Sequence, residues 1–436
     1  KEPVDYVNPF IGTGKFIGEN PQESHGWTDP VVNVPFGMIK LTPTTEAACT
    51  YRPGYYYEKT EILKFVINGR IGFMPVIGDV EAEERGYSSS FSHDKETAFP
   101  GYYAVILEDY NIKVEFTATE RTGFCRFTFP ESNSSNILFE ISELDVVDNN
   151  YLVGQRGGYY FAAEFSKPFD TYRTYRDGVS VCYSTSEDEV ILTKIGISSV
   201  STDRARKNLE AEIPDWNFAR VRTEAKESWN RELERIEIAG GTEEQREIFY
   251  TALYHSLSSP RIRSEVDGQY RGEDGRIHEA KGYTYRGGLE GWFIFNDKYP
   301  FLILLQPEIM SDAMKSTMDI YGQTGKLPIS PWTMSGCGIL VSILDLYMKG
   351  ITDFDLDKAY EAMRKAVMEP PYARAGFKSP LELSGIAECL EIGYVPAEKN
   401  TMAVTKTLGY AHESWALAQF AKLLGKEEDY NDIFHI

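Results

Sequence analysis

Cysteine is scarce in this chain of 436 residues, and its pattern is uninformative for metal or redox chemistry. The five cysteines (Cys49, Cys125, Cys182, Cys337, Cys389) are scattered and odd in number, and no C-x-x-C occurs. That leaves a zinc knuckle or a thioredoxin-type site without support; free thiols are expected, with one bridge still open in an oxidising compartment. Positive charge is also short. Lys plus Arg total 45 against 66 Asp plus Glu, a net charge of −21. Phosphate recognition needs a basic stripe, so nucleic acid is not an expected partner, nor is an anionic membrane surface. The surplus negative charge serves solubility by self-repulsion. No apolar run approaches the ~18–20 residues that span a bilayer; the longest, "YPFLILL" and "GILVSILDLYM", have core-helix length. The start, "KEPVDYVNPF", has neither Met nor an apolar leader, so the expectation is a mature product whose signal peptide is already absent. G-x-S-x-G, P-loop and Rossmann fingerprints are missing as well, which leaves serine-elbow chemistry and nucleotide use unsupported.

What is present is aromatic and apolar. Hydrophobic residues make up 42%, with 28 Tyr and 24 Phe, enough for two or three domains with large cores. That many rings suggest a β-rich region, where they fit the pleated surface; flat rings also suit stacking on sugars. Residues 1–202 read mainly as strands. In "YYAVILEDYNIKVEFTATERTGFCRFTFP", Ile112, Val114 and Phe116 face one way and Lys113, Glu115 and Thr117 the other. Further strands are expected at "YYFAAEF", "GVSVCYST" and "EVILTKIGIS". Short strands with turn signals at this spacing point to an antiparallel sandwich. Near residue 203 the texture changes. Residues 203–240 are charged and helix-prone, with Pro214 as a stop, and are expected as a helical linker. Helices are then expected from "TEEQREIFYTALYHSL" to "AVTKTLGYAHESWALAQFAKLLGK", most closed by Gly or Pro. Thr242 with Glu244 and Gln245 resembles a capping arrangement. A helical array of 241–436 behind a sandwich suggests the first part of an (α/α)6 toroid.

Several blocks carry a more specific resemblance. They include "YVNPFIGTG" (6–14), "VPFGMIKLTP" (34–43), residues 91–130, "FYTALYHSL" (249–257), "DGQYRGEDGRIHEAKGY" (267–283) and "SILDLYMKGITDFDLDKAYEAM" (342–363). In order and content they resemble glycoside hydrolase family 92, bacterial calcium-dependent exo-α-mannosidases. The resemblance implies a sandwich packed on an (α/α)6 toroid, an inverting mechanism, calcium as cofactor, a glycan or mannoside substrate, and a periplasmic, cell-envelope or secreted location.

The departures from the family pattern are specific. Where the family reads Trp-Asp-Thr-Phe-Arg, this chain has Trp292, Phe293, Ile294, Phe295 and Asn296. In place of Tyr-Asp-Asp-Trp it has His412, Glu413, Ser414 and Trp415, and "LKFVINGRIGFMP" stands where a longer glycine-rich loop is usual. Family members also run several hundred residues further. The catalytic half is therefore expected to be absent, with a second chain completing the toroid.

The candidate site residues follow. Trp27, beside His25 and Asp29, either stacks on a sugar or packs between domains. Trp292 falls in the family's sugar-site floor, although the apolar stripe around it is that of core packing; Glu290 and Asp297 flank it. Glu413 with His412 is a carboxylate–imidazole couple, or else the exposed face of a helix. Glu413 and Glu290 are the nominees for a catalytic carboxyl. Glu265, Asp267, Glu273 and Asp274 are dense enough to suggest calcium, but their spacing fits a polar hairpin better than an EF-hand loop. No metal ligand set is identified. Three readings remain: an α-mannosidase-family hydrolase, a non-catalytic glycan-binding paralogue, or a glycosidase or phosphorylase of another sandwich-plus-toroid family.

Overall fold

A computed structural model describes residues 1–15, 26–46, 54–80, 87–141, 143–175, 178–288, 297–328, 338–368, 385–398 and 402–434. The chain divides into two compact units, Lys1–Ser258 with Glu265–Asp267, and Ser259–Ser264 with Gly268–Ile436.

The first unit is an antiparallel β-sandwich. Its strands begin with β1 (Leu41–Thr44), β2 (Glu61–Ile62), β3 (Lys64–Ile67), β4 (Ile71–Ile77), β5 (Ser89–Ser90), β6 (Glu96–Phe99), β7 (Tyr102–Leu107) and β8 (Ile112–Ala118). They continue with β9 (Thr122–Phe129), β10 (Ser132–Glu140), β11 (Glu143–Asp148), β12 (Tyr151–Arg156), β13 (Tyr159–Phe165), β14 (Thr171–Tyr175), β15 (Gly178–Thr185) and β16 (Glu189–Ser198). One sheet has the order β1-β3-β4-β10-β15-β14, the other β11-β12-β13-β16-β9-β8-β7-β6. The facing sides are filled by rings. Phe65 and Phe73 meet Phe116 edge-on at 4.8 and 5.6 Å, and Phe139 lies against Phe161 and Phe165. Such pairs contribute roughly 0.5–1.5 kcal/mol each beyond their burial, and they account for the phenylalanine excess.

"LKFVINGRIGFMP" is not a loop. Asn68 (φ 50°) and Gly69 (φ 67°) are the central residues of the turn in the three-residue connection from β3 to β4, which pair Phe65 to Phe73 and Ile67 to Ile71. An Asn-Gly pair between apolar runs is the sequence signature of such a hairpin.

The expected alternation along β8 fails at Glu115, which is buried. The cause is a second covering layer. Helices α1 (Thr202–Glu212) and α2 (Phe218–Leu233) lie on the outer face of the larger sheet, α1 on β16 and β13, α2 on β7, β8 and β9. Residues 203–240, expected as a linker, thus fold as part of the sandwich unit. Arg126 makes the burial of Glu115 tolerable with two hydrogen bonds (2.5 and 2.6 Å), and Tyr102 adds a third at 2.6 Å. Burial alone would raise this carboxyl; the Arg126 and Tyr102 bonds outweigh it and hold it below the usual range. Helix α3 (Glu243–Ser256) opens with a capping box, Thr242 and Gln245 exchanging hydrogen bonds at 3.0 and 3.2 Å.

The second unit is a helical domain entered through two short ribbons. Strand β17 (Arg261–Ile262) pairs with β20 (Arg286–Gly287), and β18 (Gln269–Arg271) with β19 (Ile277–Glu279). The helices are α4 (Tyr299–Leu305), α5 (Pro307–Thr324), α6 (Ile339–Met348), α7 (Leu356–Met368), α8 (Ile386–Ile392), α9 (Ala403–Leu423) and α10 (Glu427–Phe434). Gly325 and Gly393 close α5 and α8 in the left-handed region, at φ 69° and 81°. Helix α9 touches α6, α7, α8 and α10, which is why apolar residues occupy so much of its circumference.

Candidate functional site

In the sandwich unit, the loop after residue 25 sets Trp27 64% exposed, with its indole in solvent. Two residues on, Asp29 turns inward. Its Oδ1 is sealed from solvent with no hydrogen-bond partner among the described residues. Burial pushes this carboxyl up to about 6, against the opposing effects of the Tyr55 amide and the Lys40 charge. An acid raised in this way holds its proton to a higher pH than an exposed carboxyl does. His25 lies outside the described residues.

Two other buried carboxylates of this unit, Glu96 and Glu265, are enclosed in hydrogen-bond networks. The buried Glu96 carboxylate accepts from Tyr55 (2.9 and 3.0 Å) and Tyr103 (2.6 Å) and lies 2.7 Å from His93 Nδ1. The second His93 nitrogen is 2.7 Å from the Tyr57 carbonyl. His255 is half-buried, and desolvation holds it below its usual range. Glu265, also buried, accepts from Ser198 (2.8 Å), the Ser199 amide (3.0 Å) and Asn208 (2.5 Å), and desolvation raises it. Asp267 pairs with Arg204. Glu273 and Asp274 belong to the helical unit, at the turn of the β18–β19 hairpin. Among the described residues, no group of three or more His, Cys, Asp or Glu could hold a metal ion. Cys125, Cys182 and Cys389 are free thiols.

In the helical unit, Glu290 and Trp292 lie outside the described residues. Asp297 is exposed and its Oδ1 accepts from the Lys298 amide at 2.5 Å. Lys298 itself is a group the sequence reading missed. Its Nζ donates to Ser259 Oγ at 2.6 Å, and burial followed by the nearby Arg261 charge lowers it to about 8. The available signal was a lone lysine at the edge of the apolar run 299–305.

His412 and Glu413 do not act as a couple. Successive residues on a helix point ~100° apart; His412 is exposed, stacked on Trp415, while Glu413 is buried. Glu413 lines a crevice with Val367, Ile386, Cys389, Leu390 and Tyr410 of about 10 Å³, room for a water rather than a sugar ring. The Tyr410 hydroxyl is pushed up by burial and then by the Glu413 charge.

Residues 6–198 match the glycosyl hydrolase family 92 N-terminal domain, and residues 204–435 the glycosyl hydrolase family 92 catalytic domain. The fold is similar to that of a family 92 α-mannosidase of Bacteroides thetaiotaomicron in complex with mannoimidazole. The TM-score is 0.89 at 30% identity, over 99% of this chain and 63% of that one. A family 92 inverting mannosidase of the same organism gives 0.87 at 27% identity, over 100% of this chain and 64% of that one. An uncharacterized secreted glycosidase of Arthroderma benhamiae is 23% identical over 97% of this chain and 60% of its own length. The chain spans about three fifths of the length of these relatives. The expectation that the catalytic half is absent is corrected, since the catalytic-domain match begins at residue 204. The second chain invoked to complete the toroid loses its ground with it, as does assignment to another sandwich-plus-toroid family. With both domains matched in order along the sequence, the chain belongs to glycosyl hydrolase family 92.

Proposed function

We propose that this protein is a glycoside hydrolase acting on α-linked mannosides of glycans, with inversion at the anomeric carbon. The observation that carries the reading is the likeness, over 99% of this chain, to an α-mannosidase solved with mannoimidazole. In this reading Trp27, His25, Trp292 and Asp297 are the nominated substrate-binding residues, with Trp27 supplying a ring on which a sugar face stacks. Inversion needs two carboxyl groups roughly 6.5–9.5 Å apart, one donating a proton to the leaving oxygen and one activating water. Glu413 and Glu290 remain the nominated carboxyls. Calcium enters as the family's cofactor; no ligand is assigned to it among the described residues. The name of the A. benhamiae relative supports secretion, and a bacterial periplasmic or cell-envelope location is the finer form of that reading.

Release of nitrophenol from an aryl α-mannoside, with and without EDTA, tests the proposal. Turnover that falls on chelation supports it; no release at substrate levels well above the usual millimolar KM range contradicts it.

A second reading is favoured by one specific observation: Phe293, Ile294 and Asn296 stand where the resemblance expects an acid, a threonine and an arginine. On that reading the chain binds mannosides without cleaving them. Calorimetry with mannobiose separates the two, since the binder gives saturable heat and leaves the disaccharide intact.

A further inference from the structure

A cleft in the helical unit is built from groups that the reading above leaves unused. It opens beside the β18–β19 hairpin against α5 and α7, with a volume of about 500 Å³, within the range of small-ligand sites. On its α5 side stands Asp319. Tyr270 donates to Asp319 Oδ2 at 2.8 Å, and Tyr283 donates to the same oxygen. No donor to Oδ1 is found among the described residues. Tyr270 cannot swing away, because it stacks on Tyr285 at 3.6 Å and takes a hydrogen bond from Gln323 Nε2 at 3.1 Å. Burial first, and Asp319 second, push both tyrosine hydroxyls well above their usual range. They remain donors near neutrality and fix the orientation of the carboxylate.

Across from Asp319 lies Lys358 of α7. A Cβ added at Gly322 would sit 2.8 Å from Lys358 Nζ. Glycine inside a helix is a destabilising choice, and here it leaves the space that the lysine side chain occupies over α5. No acceptor for Lys358 Nζ is found among the described residues. The cleft therefore holds a carboxylate oxygen and an ammonium, unpaired with each other, each with spare hydrogen-bonding capacity. Glu279 and Lys281 at the rim add one charge of each sign, so an anion or a cation would meet repulsion as well as attraction. A neutral polyol does not.

Adjacent hydroxyls of a sugar ring fit this arrangement, one donating to Asp319 Oδ1 and its neighbour accepting from Lys358 Nζ, with the half-buried Tyr283 ring beside them. We propose that this cleft is a carbohydrate-binding site for a hexose ring, either a free sugar or the end of a glycan chain. It holds sugar and does not cleave it, and it stands whether or not the chain hydrolyses mannosides.

The test uses the full chain with methyl α-D-mannopyranoside, methyl β-D-glucopyranoside and a mannotriose. Binding is read by calorimetry and by amide hydrogen exchange over residues 269–279. At least one hexoside is expected to bind saturably, with affinity on the order of millimolar, and to slow exchange in the hairpin. Lys358→Met and Asp319→Asn are each expected to weaken that binding by about tenfold, the loss of one charge-assisted hydrogen bond. If Asp319→Asn disturbs the fold, Lys358→Met decides alone. Tighter binding of the triose identifies a glycan end as the ligand, and equal affinity a free sugar. Absence of hairpin protection with every sugar overturns the proposal, as does sugar binding that both substitutions leave unchanged, or equal protection by inorganic phosphate. Hairpin protection in a protein that releases no mannose would sink only the hydrolase reading. Mannose release without hairpin protection would sink only this one.

Discussion

The sandwich unit encloses the carboxylates of Glu96, Glu115 and Glu265, whereas Asp319 and Lys358 of the helical unit stay half-buried at an open cleft. In the sandwich, carboxylates are bound into networks whose capacity is used up: Glu96 by two tyrosines and His93, Glu115 by Arg126 and Tyr102, Glu265 by two serines and Asn208. In the helical unit, Asp319 and Lys358 keep capacity in reserve. Satisfied buried networks specify a fold, whereas unsatisfied ones are where a ligand gains by supplying the missing partner. In the sandwich the Asp29 carboxyl also keeps an unpartnered buried oxygen, two residues along the chain from the exposed Trp27.

The largest expected effect breaks a closed network. Arg121 is buried and bonds Glu212 at 2.9 Å, with both side chains largely out of solvent. Arg121→Met is expected to destabilise the sandwich by about 2 kcal/mol, because Glu212 loses its charged partner and keeps only the bonds from Thr119 and the residue 121 amide; chemical denaturation checks this. A loss under 1 kcal/mol would mean that the network is wetter than its geometry indicates.

Asp29 and Lys298 give smaller effects of opposite pH dependence. The Asp29 carboxyl is raised to about 6 in the folded chain. Its favourable contribution is complete below the unfolded value near 4 and is lost as pH climbs through 6. Asp29→Asn is therefore expected to raise stability at pH 8 by about 1–2 kcal/mol, allowing for partial exposure, and to change little at pH 4. Lys298 is lowered to about 8. The cost of burying its charge is complete below pH 8 and relieved as pH rises from there toward the unfolded value. Lys298→Met is expected to stabilise by about 1 kcal/mol at pH 7 and to flatten the rise above pH 8, net of the lost Ser259 bond. Thermal melts across pH 4–10 would show these as mirror-image differences from the parent. Equal shifts at every pH would remove the electrostatic explanation.

The smallest expected effect on stability is at Trp27. Its indole touches solvent rather than core, so Trp27→Ala should leave stability within about 0.5 kcal/mol. Affinity for a mannoside should nevertheless drop by about tenfold if the ring stacks on sugar. A large loss of stability would make it a packing residue instead.

Much of the sandwich was legible in the sequence. The strands 159–165, 178–185 and 189–198 coincide with the expected segments, because alternating β-branched and aromatic residues between turn-formers allow few other conformations. Helix α5 was readable from its apolar spacing and closing glycine. Where reading failed, tertiary context was the cause. Glu115 looked like a solvent-facing residue until α2 covered that face. Glu413 looked like half of an exposed couple, yet the packing of α9 against α7 and α8 turned it inward and left His412 outside. The cleft that holds Asp319 and Lys358 depends on two helices and a hairpin meeting, and only the helical glycine at 322 hinted at it. The family resemblance was carried by ordered blocks throughout the chain, while His25, Glu290 and Trp292 fall outside the described residues.

Proton NMR of the first sugar released from an aryl α-mannoside tests the central claim most directly. The account predicts that β-mannose appears first and mutarotates slowly toward the α form, as inversion requires. The α anomer appearing first, or an aryl mannoside left intact alongside an active family 92 enzyme as control, would contradict it.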